Sequence, residues 1–143
     1  MSVSGATVAD MAARIGTDIT AASPNIYWVT LNLGSNDFPS MPAEAAWKAD
    51  LATILDAMNA EWPTAKIYVM RPWWNSFPTE ADSVATWIAD VISTRSTWAF
   101  VGPDERVYLE NGDNGVTYTY DGLHPNAAGY ILTATEWQTV LGY

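Results

Sequence analysis

Ile26-Tyr27-Trp28-Val29-Thr30-Leu31 runs directly into Asn32-Leu33-Gly34-Ser35-Asn36-Asp37. The first six residues are β-branched, aromatic or apolar on both faces, which is how a strand buried inside a parallel sheet reads. The glycine that follows marks a turn at the strand's end. On the N-terminal side, Val8, Met11, Ala12, Ile15 and Ile19 recur at helical spacing over residues 7–22, with Thr7 placed to cap the helix. On the other side, after Pro42, Trp47, Leu51, Ile54, Leu55 and Met58 line one side of a helix over residues 43–60.

The alternation continues along the chain. Residues 66–70 form a second short apolar strand, followed by a loop over 71–78 that carries Trp73, Trp74 and Phe77. Thr79 then caps a helix to about Ser93 with Val84, Trp87, Ile88, Val91 and Ile92 as its inner stripe. Residues 98–101 form a third strand, closed by Gly102-Pro103. Residues 104–120 read as irregular, with a hairpin signal at Asn111-Gly112-Asp113-Asn114-Gly115. A last helix over 127–141, capped by Asn126, directs Tyr130, Ile131, Ala134, Trp137 and Leu141 inward. Trp28, Trp47, Trp87, Trp98 and Trp137 are read as core. Helices alternating with strands across short loops predict a single three-layer α/β domain over residues 1–143, with a parallel sheet of at least three strands. Sites in such sheets form at the carboxyl ends of the strands.

Composition narrows the function. A hydrophobic fraction of 49% and an aromatic fraction of 13% suit a packed globular domain. Six basic against sixteen acidic residues give a net charge of −10, which argues against nucleic acid and anionic membrane surfaces as partners. With no cysteine, disulfide and thiol chemistry are excluded. No run reaches the roughly 18 apolar residues of a membrane span. No basic stretch followed by an apolar core opens the chain, so no signal peptide is read and no compartment is assigned. The acidic spacing at 111–115 does not fit a calcium loop, and no metal or cofactor is expected.

The chain's only histidine sits in Asp121-Gly122-Leu123-His124-Pro125-Asn126. A histidine three residues after an aspartate on a tight turn can be oriented by that carboxylate and serve as a general base. Asn36, at the end of the first strand, is placed to face a reacting carbonyl. The bland alternatives are a turn aspartate with a structural histidine, an Asx turn at Asn36-Asp37, and a Gly5 that merely supplies positive φ.

Together these stretches resemble conserved blocks of the SGNH (GDSL-type) ester hydrolases. Val3-Ser4-Gly5-Ala6-Thr7 resembles the block whose glycine donates a backbone N–H to the oxyanion, and Gly34-Ser35-Asn36-Asp37 the block whose asparagine is a second donor. Asp121 to Asn126 resembles the block that supplies the triad aspartate and histidine. The resemblance implies a flavodoxin-like SGNH-hydrolase fold and hydrolysis of a small ester, an acylated carbohydrate or a short acyl ester. His124 would be the base, Asp121 its orienter, and Asn36 with Gly5 the oxyanion hole. Trp73, Trp74, Phe77 and Asp37 are the candidate substrate pocket.

The family's Gly-Asp-Ser nucleophile block does not occur in the sequence. It precedes the Gly5 block by a βα unit, and such units take on the order of 30 residues, whereas four residues precede Gly5 here. The expectation is therefore a domain lacking its N-terminal strands, with the serine supplied by another segment or chain. A rewired nucleophile at Ser2 or Ser4 is the lesser alternative. The strand over 26–33 would then lie at an open sheet edge, so a partner chain or a second copy is expected to cover it. The rival reading is a non-catalytic module that keeps the scaffold and binds glycan or protein through the Trp73–Phe77 loop.

Overall fold

A computed structural model describes residues 4–19, 26–109 and 117–142. The elements in order are α1 (Val8–Ile19), β1 (Trp28–Leu31), a 3-10 turn (Ser35–Ser40), α2 (Glu44–Glu61), β2 (Lys66–Arg71), α3 (Pro78–Ser93), β3 (Ala99–Asp104), α4 (Glu105–Leu109) and α5 (Ala127–Leu141). The hairpin expected at 111–115 lies outside the described residues.

The strands pair in parallel in the order β1-β2-β3. Val29 lies opposite Ile67, and Ile67 opposite Ala99. One face of the sheet meets the main core, where Ile67, Val69 and Ala99 pack with Leu51, Ile54 and Leu55 of α2 and Val84 and Ile88 of α3. The alternation of side chains along a strand puts Tyr68 and Phe100 on the opposite face, where they sit in register and stack at 5.2 Å. On that face α5 crosses β3. Gly102 has no side chain because a Cβ there would lie 2.9 Å from the Trp137 ring and 3.0 Å from the Val69 carbonyl oxygen. Helices on both faces of a parallel sheet make the three-layer α/β architecture that the helix–strand alternation predicts.

Helix starts follow their caps. Thr7 Oγ1 accepts from the Asp10 N–H at 3.2 Å while Asp10 Oδ2 accepts from the Thr7 N–H at 3.0 Å, a reciprocal capping box. Asn126 caps α5 by accepting from Ala128 and Gly129. Thr79 does not cap α3, which begins one residue earlier at Pro78 with Phe77 in the capping position; proline at the first helical position costs no hydrogen bond.

Three further expectations are corrected. Residues 105–109 are helical, not irregular. Trp28 is 50% exposed, because among the described residues β1 pairs only with β2 and stands at the edge of the sheet. On α5, Tyr130 and Ile131 are 62% and 67% exposed, Ala134 is exposed, and only Gly129 is buried. The apolar residues of that helix are spread around it, so its periodicity could not say which side faces the sheet. Among the described residues no helix is long and apolar enough to cross a membrane.

Gly129 fixes the seating of α5. A Cβ at this position would overlap the Tyr118 carbonyl oxygen, which already accepts from the Asn126 N–H at 2.9 Å. Gly129→Ala must push the helix off the 117–126 segment. The expected outcome is a loss of about 1–3 kcal/mol in urea denaturation, the usual range for overpacking, with the amide shifts of residues 119–124 displaced.

Candidate active site

The loop before α5 is closed by its own backbone. Thr119 and Pro125 form an antiparallel bridge, the Tyr120 N–H donates to the His124 carbonyl at 2.9 Å, and the Asn75 N–H donates to the Gly122 carbonyl at 2.9 Å. Gly122 adopts φ +83°, a conformation that side chains resist. Within this loop Asp121 Oδ1 accepts from the backbone N–H groups of Leu123 (3.1 Å) and His124 (2.8 Å). Its Oδ2 meets His124 Nδ1 at 2.8 Å. The His124 N–H, the imidazole and the Leu123 N–H together hold the Asp121 carboxyl down at about 2. A carboxylate pinned by two amides and bonded to Nδ1 fixes the ring and leaves Nε2 as the nitrogen available for proton transfer.

Asn36 sits on the 3-10 turn after β1, and its Nδ2 donates to the Ala6 carbonyl at 3.0 Å. This bond draws the turn against the segment that holds Gly5. Gly5 takes φ +76° with open space where a Cβ would be, so the backbone conformation, not crowding, calls for glycine there. Gly5, Asn36 and His124 line one cavity of about 470 Å³, together with Ser4, Ser35 and Tyr130. The structure thus brings three of the sequence-predicted site residues around a common space, with Asp121 bonded behind the imidazole. Ser2 lies outside the described residues.

Trp73, Trp74, Phe77 and Asp37 do not line this cavity. Trp73 is buried beneath the Arg106 guanidinium, which lies 5.1 Å from its ring. Trp74 packs edge-on against Phe77 at 4.8 Å, and Phe77 lies 6.5 Å from Phe38 of the core. The loop folds inward because three large rings gain more from burial than from exposure on a surface turn. Asp37 is also buried, and its Oδ2 accepts from the Val8 N–H at 3.1 Å, satisfying the open end of α1. Burial raises its carboxyl above the ordinary range.

Glu105, the first residue of α4, lines the cavity and was missed in the sequence, where its stretch lacks a readable period. The signal available was position: it follows the carboxyl end of a parallel strand. It is buried, its Oε2 accepts from the Trp73 N–H at 3.0 Å, and the Asn32 side chain also donates to it. Burial pushes its carboxyl up to about 7, with the neighbouring Asp104 adding to the shift.

The GDSL-like lipase/acylhydrolase family profile matches residues 1–132. The chain belongs to that family. No curated protein matches the chain in sequence. Among solved structures, a family 3 carbohydrate esterase from Clostridium thermocellum aligns with a TM-score of 0.71 at 19% identity, covering 95% of this chain and 65% of that one. A member of the lipolytic G-D-S-L family from Veillonella parvula gives 0.77 at 17% identity, covering 96% and 76%. A family 3 carbohydrate esterase from Talaromyces cellulolyticus gives 0.74 at 21%, covering 96% and 67%. At these identities the likeness establishes the SGNH-hydrolase fold. This chain spans about two thirds to three quarters of the length of those structures.

The raised Glu105 carboxyl makes stability depend on pH. Between its ordinary value of 4.5 and about 7, the folded chain holds a proton that the unfolded chain has released. The resulting stabilisation is complete below the ordinary carboxyl range and is lost as pH rises through 7. Urea denaturation is expected to show a fall on the order of 2–3 kcal/mol between pH 4.5 and 8, and Glu105→Gln is expected to flatten most of it.

Proposed function

We propose that this site carries out carboxylic-ester hydrolysis of the Ser-His-Asp type, with the serine brought by another segment or chain. His124 Nε2 takes the proton from the attacking hydroxyl, and Asp121 holds the imidazole and stabilises its charged form. The tetrahedral oxyanion is received by the Gly5 N–H and the Asn36 Nδ2, donors each worth roughly 2.7–4 kcal/mol of barrier in such sites. His124 then returns its proton to the departing alcohol, and water repeats the sequence on the acyl-serine. The observation that carries this reading is the 2.8 Å Asp121–His124 contact on the same cavity as Asn36 and Gly5.

The source of the hydroxyl is supported by the sheet. Among the described residues β1 pairs in the sheet with β2, and beside it lies an apolar groove of about 360 Å³ between Met11, Trp28, Val29, Met58 and Trp62. A strand added parallel to β1 would end at the same edge of the sheet as the cavity, and its following turn would face His124. The fold neighbours contain chain beyond the part that this one matches. An apolar strand ending in a Gly-Asp-Ser turn is the fitting occupant. The cavity's polar lining, including Asn32, Asn36 and Thr133, favours a short acyl group or an acylated carbohydrate over a long lipid chain. That two of the fold neighbours are carbohydrate esterases agrees with this.

The test is fluorophosphonate labelling and p-nitrophenyl acetate hydrolysis, with the chain alone and with a polypeptide carrying that strand and turn. Labelling is expected on the added segment's serine and is expected to vanish with His124→Ala. Asp121→Asn should lower kcat by roughly 10⁴-fold, and Asn36→Ala by roughly 10²–10³-fold. Label on Ser4 of the chain alone would overturn the split arrangement. No label with any such segment would leave the non-catalytic binding module as the better reading.

A further inference from the structure

We propose that Glu105 is the positioning residue of this site: its carboxyl ties together the chain ends leaving all three strands and so sets where Asn36 presents its amide. Glu105 itself opens α4 directly after β3. Its Oε2 accepts from the backbone of Trp73, two residues beyond β2. Its carboxyl also accepts from the side chain of Asn32, the first residue after β1. One buried group therefore bonds the exits of β1 and β2 to that of β3, at the wall of the cavity.

Two routes lead from Glu105 to the donor turn. The first is covalent: Asn32 lies two residues before Gly34, whose carbonyl accepts from the Asp37 N–H at 3.1 Å to close the turn bearing Asn36. The second is packing. Pro72, the residue before Trp73, borders the space at Gly34 together with Trp47 and Val84, so the segment that Glu105 holds lies beside the hinge of the turn. Gly34 has φ +109° and cannot shift toward ordinary conformations without moving Asn36.

The residue type matches the task. Two donors from different segments converge on one side chain, and a carboxyl offers an oxygen to each. A glutamine offers one acceptor and would turn its NH₂ toward a donor. Charged groups around it are already committed: Arg71 at the end of β2 pairs with Asp104 at 3.1 Å, and Arg106 pairs with Asp82 of α3. Across the cavity stands His124, held by Asp121. From α5 the facing groups are the neutral Tyr130 and Thr133.

This inference rests on Asn36 being an oxyanion donor, but its test does not depend on hydrolysis. In ¹⁵N spectra of the whole chain from pH 5 to 9, the Trp73 backbone amide and the side-chain amides of Asn32 and Asn36 are expected to shift together with one midpoint near 7. The common transition should persist in His124→Ala, which removes the only imidazole, and disappear in Glu105→Gln. An Asn36 amide that stays still while Trp73 and Asn32 titrate would overturn the proposal, leaving Glu105 as a brace between loops. So would a common transition that survives Glu105→Gln. If that variant does not fold, the behaviour of Asn36 in the wild-type and His124→Ala titrations decides. Failure of the labelling experiment with this titration intact would instead count against the catalytic reading alone.

Discussion

The parallel pairing of β1, β2 and β3 is the constraint from which the site follows. Strands that run the same way release their following loops on one edge of the sheet. The Ser35–Ser40 turn after β1, the loop over 72–77 after β2 and α4 after β3 therefore meet without any of them being long. The loop that carries His124 joins them because α5 returns across β3 and is seated there by Gly129 and Trp137. In a parallel sheet side chains from distant parts of the sequence can still share one cavity.

Acidic side chains do much of the fastening. Asp37 accepts from the Val8 N–H, 29 residues away, and Glu105 accepts from the Trp73 N–H, 32 residues away. Asp121 accepts from two amides of its own turn. Hydrogen bonds to an ionised carboxylate, as at Asp121, are stronger than neutral ones. The two buried carboxyls, Asp37 and Glu105, are shifted upward by burial, while the exposed Asp121 is shifted down by its donors. The excess of acid in this sequence is thus partly internal scaffolding, and net charge alone says little about what the surface meets.

Periodicity and caps made most of the fold legible. The stripes of α1, α2 and α3, the two-faced apolar strands and the Asn126 cap all reflect local physics, which a sequence displays directly. The exposure of Trp28, Tyr130 and Ile131 was not legible, because an apolar residue reads the same whether its partner lies in this chain or is absent from it. The Asp121–His124 pair was readable, since its geometry is set within four residues. The inward turn of Trp73 and Phe77 was not, because it depends on Phe38 and on an arginine more than thirty residues downstream. Glu105 escaped for the same reason: its meaning comes from Asn32 and Trp73, and nothing near it in sequence marks it.

The open flank of the molecule bears on the chemistry. His124 has 68% of its side chain exposed, and Tyr130 beside it is likewise exposed. A hydrolytic base in open water gains little from its aspartate, because solvent screens the pair and competes for every donor. An acyl-transfer centre works when water is displaced and the donors act at low dielectric. A strand docked on β1 would cover Trp28 and the groove beneath it, and its following turn would close over the imidazole. The same contact that completes the sheet would thereby raise the strength of the Asp121–His124 pair and of the Asn36 and Gly5 donors. Under the proposed arrangement, assembly and activation are one step, and the exposed edge and the exposed base are two views of the same unfinished surface.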